Sequence, residues 1–183
     1  MPRLVPPDPP LTDGVVSLRA FRDKDAGALA VMMDEPEIAR WTRAPSPYGE
    51  REALEWLALH PALLERGELP LAIVDAESDE LLGSVGLHIR DEGRGEFGYL
   101  VASWARRRGV GTRALRLLAR YAFEEHGLAR LEAMVRPGNE ASIAVAERVG
   151  FRREGLLRSY TVIRGERVDT LMLSVLPGEL REE

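Results

Sequence analysis

Apolar residues along this chain change period several times, and each change marks a switch between strand and helix. Residues 15–20, Val-Val-Ser-Leu-Arg-Ala, alternate as a short half-buried strand. Ala26, Leu29, Ala30 and Met33 recur at helical spacing and predict a helix over 23–33, with Asp23 or Asp25 as cap. Pro36, Pro45 and Pro47 then punctuate a stretch carrying Trp41, which reads as a loop. Leu54, Trp56, Leu57, Leu63 and Leu64 predict a second helix over 49–66, kinked or interrupted at Pro61. Residues 70–75 and 81–89 are expected to be strands joined by an acidic turn, and Asp91-Glu92-Gly93-Arg94-Gly95 leads into a third at 96–101. Three strands in succession imply an antiparallel meander.

After a turn of arginine and glycine, Val110, Ala114, Leu115, Leu118, Tyr121 and Ala122 trace one face of a helix, with Gly127 as its C′ residue. Residues 128–135 form the next strand, reached by this helical crossover and therefore parallel to its predecessor. Pro137-Gly138-Asn139-Glu140-Ala141-Ser142 opens a shorter helix that stops at Gly150. Strands at 151–162 and 168–175 flank a turn at Arg164-Gly165-Glu166. The order is mixed α/β. Residues 1–14 are expected to be a loose proline-rich arm, 15–176 a single domain and 177–183 a tail.

Composition narrows the classes. A chain of 183 residues suits one core, and 45% apolar with 30% charged residues is the make-up of an ordinary globule. No apolar run is long enough to span a membrane, and the first residues lack the apolar stretch of a secretory signal, so a cytoplasmic location without membrane partners is expected. Zero cysteines remove disulfides, thiolate metal sites and a cysteine nucleophile together. His60, His88 and His126 are scattered without ligand spacing, so no metal is expected. A net charge of −5 argues against nucleic acid as a partner. Arg106, Arg107, Arg108, Arg113, Arg116 and Arg120 nevertheless concentrate positive charge, which suits a small polyanion.

That charge surrounds Arg106-x-x-Gly109-x-Gly111-Thr112, between a strand and a helix start. Free N–H groups and the helix dipole stabilise an anion there, and glycines let it approach the main chain. The pattern is neither Gly-x-x-x-x-Gly-Lys-Ser/Thr nor Gly-x-Gly-x-x-Gly, so nucleotide hydrolysis and dinucleotide binding lose their main support.

Taken together, this strand and turn, the crossover helix, the Asn139-x-x-Ser142 helix start and Gly150-Phe151 resemble a GCN5-related N-acetyltransferase (GNAT), in its RimJ/RimL-like branch, over residues 15–176. The resemblance implies a mostly antiparallel twisted sheet flanked by about four helices, with the fourth and fifth strands parallel and splayed. The pantetheine arm of acetyl-CoA would fill the gap beside Leu100 and Val101, and the pyrophosphate would sit on Arg108, Gly109, Val110, Gly111 and Thr112. Arg106, Arg107 and Arg113 could add side-chain charge. Asn139 is the only asparagine in a chain without glutamine; it is a natural N-cap and, by resemblance, also lines the cofactor arm.

The resemblance further implies that Ser142 attends the departing thiolate and that Glu96 serves as a base through water. Two positions that hold a base and an acid tyrosine in many relatives are Met134 and Ala146 here. Tyr99, Tyr160 and Asp169 are weaker catalytic candidates. Trp41, Tyr99 and Tyr160 are expected beside the acceptor, with Trp56 as a wall or a core aromatic and Asp34, Glu35 and Glu37 able to attract an amine. An α-amine of pKa about 8 is roughly 10% neutral at pH 7, a lysine of pKa about 10.4 only about 0.04%. A weakly marked base therefore favours transfer to a protein or peptide N-terminal α-amine, as in ribosomal-protein acetylation. A small amine (aminoglycoside, polyamine or amino acid) and a non-catalytic acyl-CoA-binding module remain as alternatives, and a homodimer is left open.

Overall fold

In the computed structural model, which describes residues 4–91 and 93–182, the alternating segments assemble into one eight-stranded sheet. Met1, Pro2 and Arg3 of the arm, Glu92 of the acidic turn and Glu183 of the tail lie outside the described residues. The strands are β1 (Leu11–Thr12), β2 (Val16–Arg19), β3 (Glu68–Asp75), β4 (Leu81–Asp91), β5 (Arg94–Val101), β6 (Arg130–Val135), β7 (Arg152–Ile163) and β8 (Glu166–Val175). They lie in the order β1-β2-β3-β4-β5-β6-β8-β7. β5 and β6 run parallel; every other pairing in the sheet is antiparallel. The meander and the crossover are thus both present, but the two-residue β1 moves the parallel pair to fifth and sixth place.

The helices are α1 (Ala26–Met33), α2 (Pro36–Trp41), α3 (Glu50–Ala58), α4 (His60–Glu65), α5 (Val110–Glu124) and α6 (Glu140–Val149). Six α-helices among the described residues, rather than about four, arise from two corrections. The Trp41 segment is helical because Pro36 sits in the first turn of α2, where its missing N–H has no intrahelical partner to lose. The helix expected over 49–66 divides at Leu59, so that Pro61 falls in the first turn of α4 instead of inside one long helix.

The arm is not loose where it is described. Leu4 is buried and its N–H donates to the Leu64 carbonyl at 3.2 Å, while the Val5 carbonyl accepts from the Tyr121 hydroxyl at 3.2 Å. The tail is tied down by a 3.0 Å main-chain bond from the Arg181 N–H to the Val149 carbonyl.

α5 buries Val110, Ala114, Leu115, Leu118, Ala119 and Ala122 against the sheet, the amphipathic stripe expected of a helix packed on one face. One feature of the sheet creates the site. β5 and β6 pair at Arg94↔Arg130, Gly95↔Leu131, Glu96↔Glu132 and Phe97↔Ala133, and no further. Beyond Phe97, β5 stays with β4 as far as Val101↔Gly83, while β6 follows β8 as far as Val135↔Leu171. The two strands therefore part, and the gap is held open from both sides by ladders that continue.

Candidate active site

A cleft of about 1070 Å³ opens at this parting. Alternation of side chains along β5 gives it two walls. Tyr99 and Val101 face α5, since a Cβ on Gly111 would lie 3.1 Å from Tyr99 Cε2 and 3.5 Å from Val101 Cγ2. Glu96, Gly98 and Leu100 face the other way.

On the helix-covered wall, Gly109 adopts a left-handed conformation with φ of 76° and starts α5 without any side-chain cap or acidic residue in the first turn. The helix thus presents uncapped N–H groups beside the exposed Arg107 and Arg108. Two glycine and arginine expectations change here. The Gly111 Cβ position faces the Tyr99 ring, so the missing side chain serves helix-to-strand packing and not the approach of a ligand. The Arg106 guanidinium donates to the Val101 carbonyl at 3.1 Å and pairs with Glu35, whose other oxygen accepts from the Ser103 N–H at 2.8 Å. Arg106 is therefore a strap fastening the end of β5 to the start of α2. Arg113 is likewise paired, with Asp13 at 2.7 Å.

Asn139 caps α6 by accepting from the Ser142 N–H at 3.2 Å, which fixes the start of the helix and leaves the amide NH₂ for another partner. The Ser142 hydroxyl oxygen accepts from the Tyr99 hydroxyl at 3.3 Å. Burial raises the tyrosine pKa, so the phenol keeps its proton and goes on donating. Ser142 then has its own O–H left to donate into the cleft. Tyr99, expected beside the acceptor, stands instead with Ser142 on the opposite wall. Ala146 and Met134 also line the cleft and offer no acid or base.

The acids expected to attract an amine are already engaged. Asp34 accepts from the Tyr48 N–H at 3.0 Å, Glu35 holds Arg106, and Glu37 accepts from the Trp41 indole at 2.6 Å. Trp41 lines the cleft, with the guanidinium carbons of Arg40 and Arg136 at 4.7 and 5.4 Å from its ring centre. Trp56 lines the cleft and also packs edge-on against Phe21 and His60. Tyr160 is exposed on β7 and lines the far rim. Asp169 accepts from the Ser159 N–H at 2.8 Å, which holds the irregular part of the β7–β8 hairpin.

Glu96 faces the cleft, and its Oε2 is held by Arg90 at 2.8 and 2.7 Å. Beside it stands a residue that spacing alone gave no reason to choose. The strand registers Glu68↔His88, His88↔Glu96 and Glu96↔Glu132 set four titratable side chains in one row across β3, β4, β5 and β6. The signal existed in the sequence only as the register of the meander, which fixes who stands opposite His88. Its Nδ1 lies 3.5 Å from Glu68 Oε2. Partial burial holds the His88 pKa below 6.5, helped by Arg90 and Arg43 and opposed by Glu68 and Glu96. Among the described residues no group of three or more His, Asp or Glu could hold a metal ion, and no helix is long and apolar enough to cross a membrane.

Comparison with known proteins agrees with this geometry. The acetyltransferase (GNAT) domain profile matches residues 16–152. The uncharacterized N-acetyltransferase p20 of Bacillus licheniformis is 29% identical over 167 residues, 90% of this chain and 94% of that protein. YdaF of Bacillus subtilis (strain 168), provisionally named a ribosomal N-acetyltransferase, is 31% identical over 180 residues, 92% of this chain and 94% of its own. The solved structure of Mycobacterium smegmatis RimJ in complex with CoA-disulfide superposes with a TM-score of 0.82 at 27% identity, covering 98% of this chain and 89% of that one. With the domain profile spanning most of the chain and a relative above 30% identity along nearly its full length, this protein belongs to the GNAT acetyltransferase family.

Proposed function

We propose that this protein transfers the acetyl group of acetyl-CoA to the α-amine of a protein or peptide N-terminus, by direct attack within a ternary complex. The observation that carries the reading is the parting of β5 and β6 after Phe97↔Ala133, next to the uncapped start of α5. A slot lined by Leu100 and Val101 on one strand and closed by Asn139 and Ser142 at the start of α6 suits an extended pantetheine arm, and the N–H groups from Gly109 to Thr112 suit its pyrophosphate. The complex of the RimJ relative with CoA-disulfide supports a CoA thioester as the donor. One catalytic domain over residues 15–176 carries this site, with arm and tail as straps.

Acetyl-CoA supplies an activated thioester. The chain contributes position, a wall that sheds water, and proton management. The amine lone pair forms the new bond to the carbonyl carbon, the carbon–sulfur bond breaks, and its electron pair stays on sulfur. Ser142, whose oxygen already accepts from Tyr99, has its O–H free to donate to that sulfur. With no cysteine in the chain, an acyl-cysteine intermediate is excluded, which supports direct attack. For the acceptor, the provisional ribosomal name of YdaF supports a protein N-terminus.

The test is CoA release from acetyl-CoA with peptides of varied N-terminal residue, the same peptides with blocked N-termini, and a panel of small amines. Release is expected with free N-termini and not with blocked ones. Turnover confined to small amines would overturn the acceptor assignment, and failure to bind acetyl-CoA would overturn the whole reading.

A further inference from the structure

Resting on that reading, we infer that His88 is the catalytic base that takes the proton from the acceptor amine, that Glu68 positions it, and that Gly86 and Gly98 form the floor on which the end of the acceptor lies. Three observations converge on this. First, Glu68, His88 and Glu96 stand directly opposite one another on three adjacent strands, all facing the cleft. Second, a Cβ built on Gly86 would lie 3.6 Å from His88 Nε2, so the imidazole leans along β4 over Gly86. Gly86 pairs with Gly98, whose Cβ direction is open for 4 Å. Gly98 is the first residue of β5 past the last pairing with β6, so the ring leans toward the mouth of the gap where a thioester would lie.

Third, the two ends of the imidazole are in different situations. Nδ1 faces Glu68 Oε2 at 3.5 Å, which favours the tautomer with its proton on Nδ1. Nε2 is then left as an acceptor over the glycine floor. The groups that bear on His88 are Glu68 from β3, Arg90 from its own strand, Glu96 from β5 and Arg43 from the segment after α2. Their net effect together with partial burial keeps the ring neutral near pH 7, the state a base requires. Glu96 is the poorer base, because a carboxylate starts about two units lower and this one is held by Arg90.

The step balances without another reactant. As nitrogen bonds to the acetyl carbon, its proton moves to His88 Nε2. The carbon–sulfur electrons remain on sulfur, which is held by the Ser142 O–H and takes its proton from water. The imidazolium returns its proton to solvent through the open side of the cleft.

The experiment is kcat against pH at saturating acetyl-CoA and peptide, for wild type, His88→Gln, Glu68→Gln, Glu96→Gln and Gly98→Leu. Wild type should show an acid limb with its midpoint below the ordinary histidine value of 6.5. His88→Gln should lose that limb and roughly 100-fold in kcat, with the acetyl-CoA Kd from calorimetry within about twofold of wild type. Glu68→Gln removes a group that raises the His88 pKa, so the limb should move to lower pH, a shift that a merely structural role would not produce. Glu96→Gln should lose less kcat than His88→Gln. Gly98→Leu should raise the KM of the peptide about tenfold, with the acetyl-CoA Kd little changed. An unchanged limb in His88→Gln, or a larger loss in Glu96→Gln, overturns the assignment of the base. An unchanged peptide KM in Gly98→Leu overturns the floor. Wild type that binds acetyl-CoA but acetylates no N-terminus would instead defeat the proposed function.

Discussion

On the wall that faces the proposed cofactor slot, Gly109 with the first turn of α5, and Asn139 with the first turn of α6, act through two helix starts, each set by residues a few positions apart. On the opposite wall, Glu68, His88, Glu96 and Glu132 meet only because four strands are in register. The difference matters for how each wall can change. Main-chain N–H groups at a helix start are supplied by almost any sequence that folds, so the donor wall constrains few side chains. The proposed acceptor wall is a set of side chains on a sheet, and substituting one alters chemistry without moving the backbone.

The strongest way to break this contrast is at Gly111. Gly111→Glu forces a long charged side chain into the space where the first turn of α5 packs on Tyr99 and Val101, which displaces the main-chain N–H groups of the proposed pyrophosphate seat, and at least a tenfold weaker acetyl-CoA Kd by calorimetry is expected. Gly111→Ala separates the two roles of that glycine. Its methyl would stand 3.1 Å from Tyr99 Cε2, so the ring must shift and loosen its hydroxyl from Ser142. For this variant kcat should fall more than acetyl-CoA affinity. Equal loss of both would mean that Tyr99 does nothing beyond packing.

Asn139 offers a subtler test on the same wall. Asn139→Ala loses the cap to the Ser142 N–H and should cost about 1 kcal/mol of stability in urea unfolding. Asn139→Asp keeps a good capping oxygen but no amide NH₂. It should hold stability near wild type while weakening acetyl-CoA binding. If both properties survive in the aspartate variant, Asn139 is a cap alone.

Arg106 and Glu35 sharpen the contrast further, because sequence placed one with the cofactor and the other with the acceptor. Their side chains meet and tie β5 to α2. Single substitutions to alanine and the double variant should show a coupling of about 1 kcal/mol in stability. Additive losses would remove the strap and restore Arg106 as a candidate for the anion.

What the sequence made legible follows from distance along the chain. The glycine turn, the α5 stripe, the Asn139 helix start and the parallel crossover each depend on local spacing, and the structure places them as expected. The arm was illegible because Leu4 is a single apolar residue among prolines and has no period to read. α2 was illegible because Pro36 breaks a helix or begins one depending on which residue comes first. His88 was illegible because its neighbours Glu68 and Glu96 belong to other strands, and a slip of one residue in either register would send it to the opposite face.

The wall that carries Trp56 also has an acid-sensitive support, through His60. This imidazole packs edge-on against Phe21 and Trp56, with ring centres 5.5 and 4.4 Å away, and its buried Nε2 has no hydrogen-bond partner. Desolvation lowers its pKa from 6.5 to about 4. Between those values the unfolded chain binds a proton that the folded chain refuses, so the His60 contribution to stability is present above pH 6.5 and declines as pH falls toward 4. After allowance for solvent screening of a partly exposed ring, the loss should be about 1–2 kcal/mol across that window. His60→Phe keeps an aromatic edge against Trp56 and removes the titration. Urea unfolding at pH 7 and pH 5 should therefore show a smaller drop for His60→Phe than for wild type. An equal drop would move the acid sensitivity away from Trp56 and leave the two walls alike in this respect.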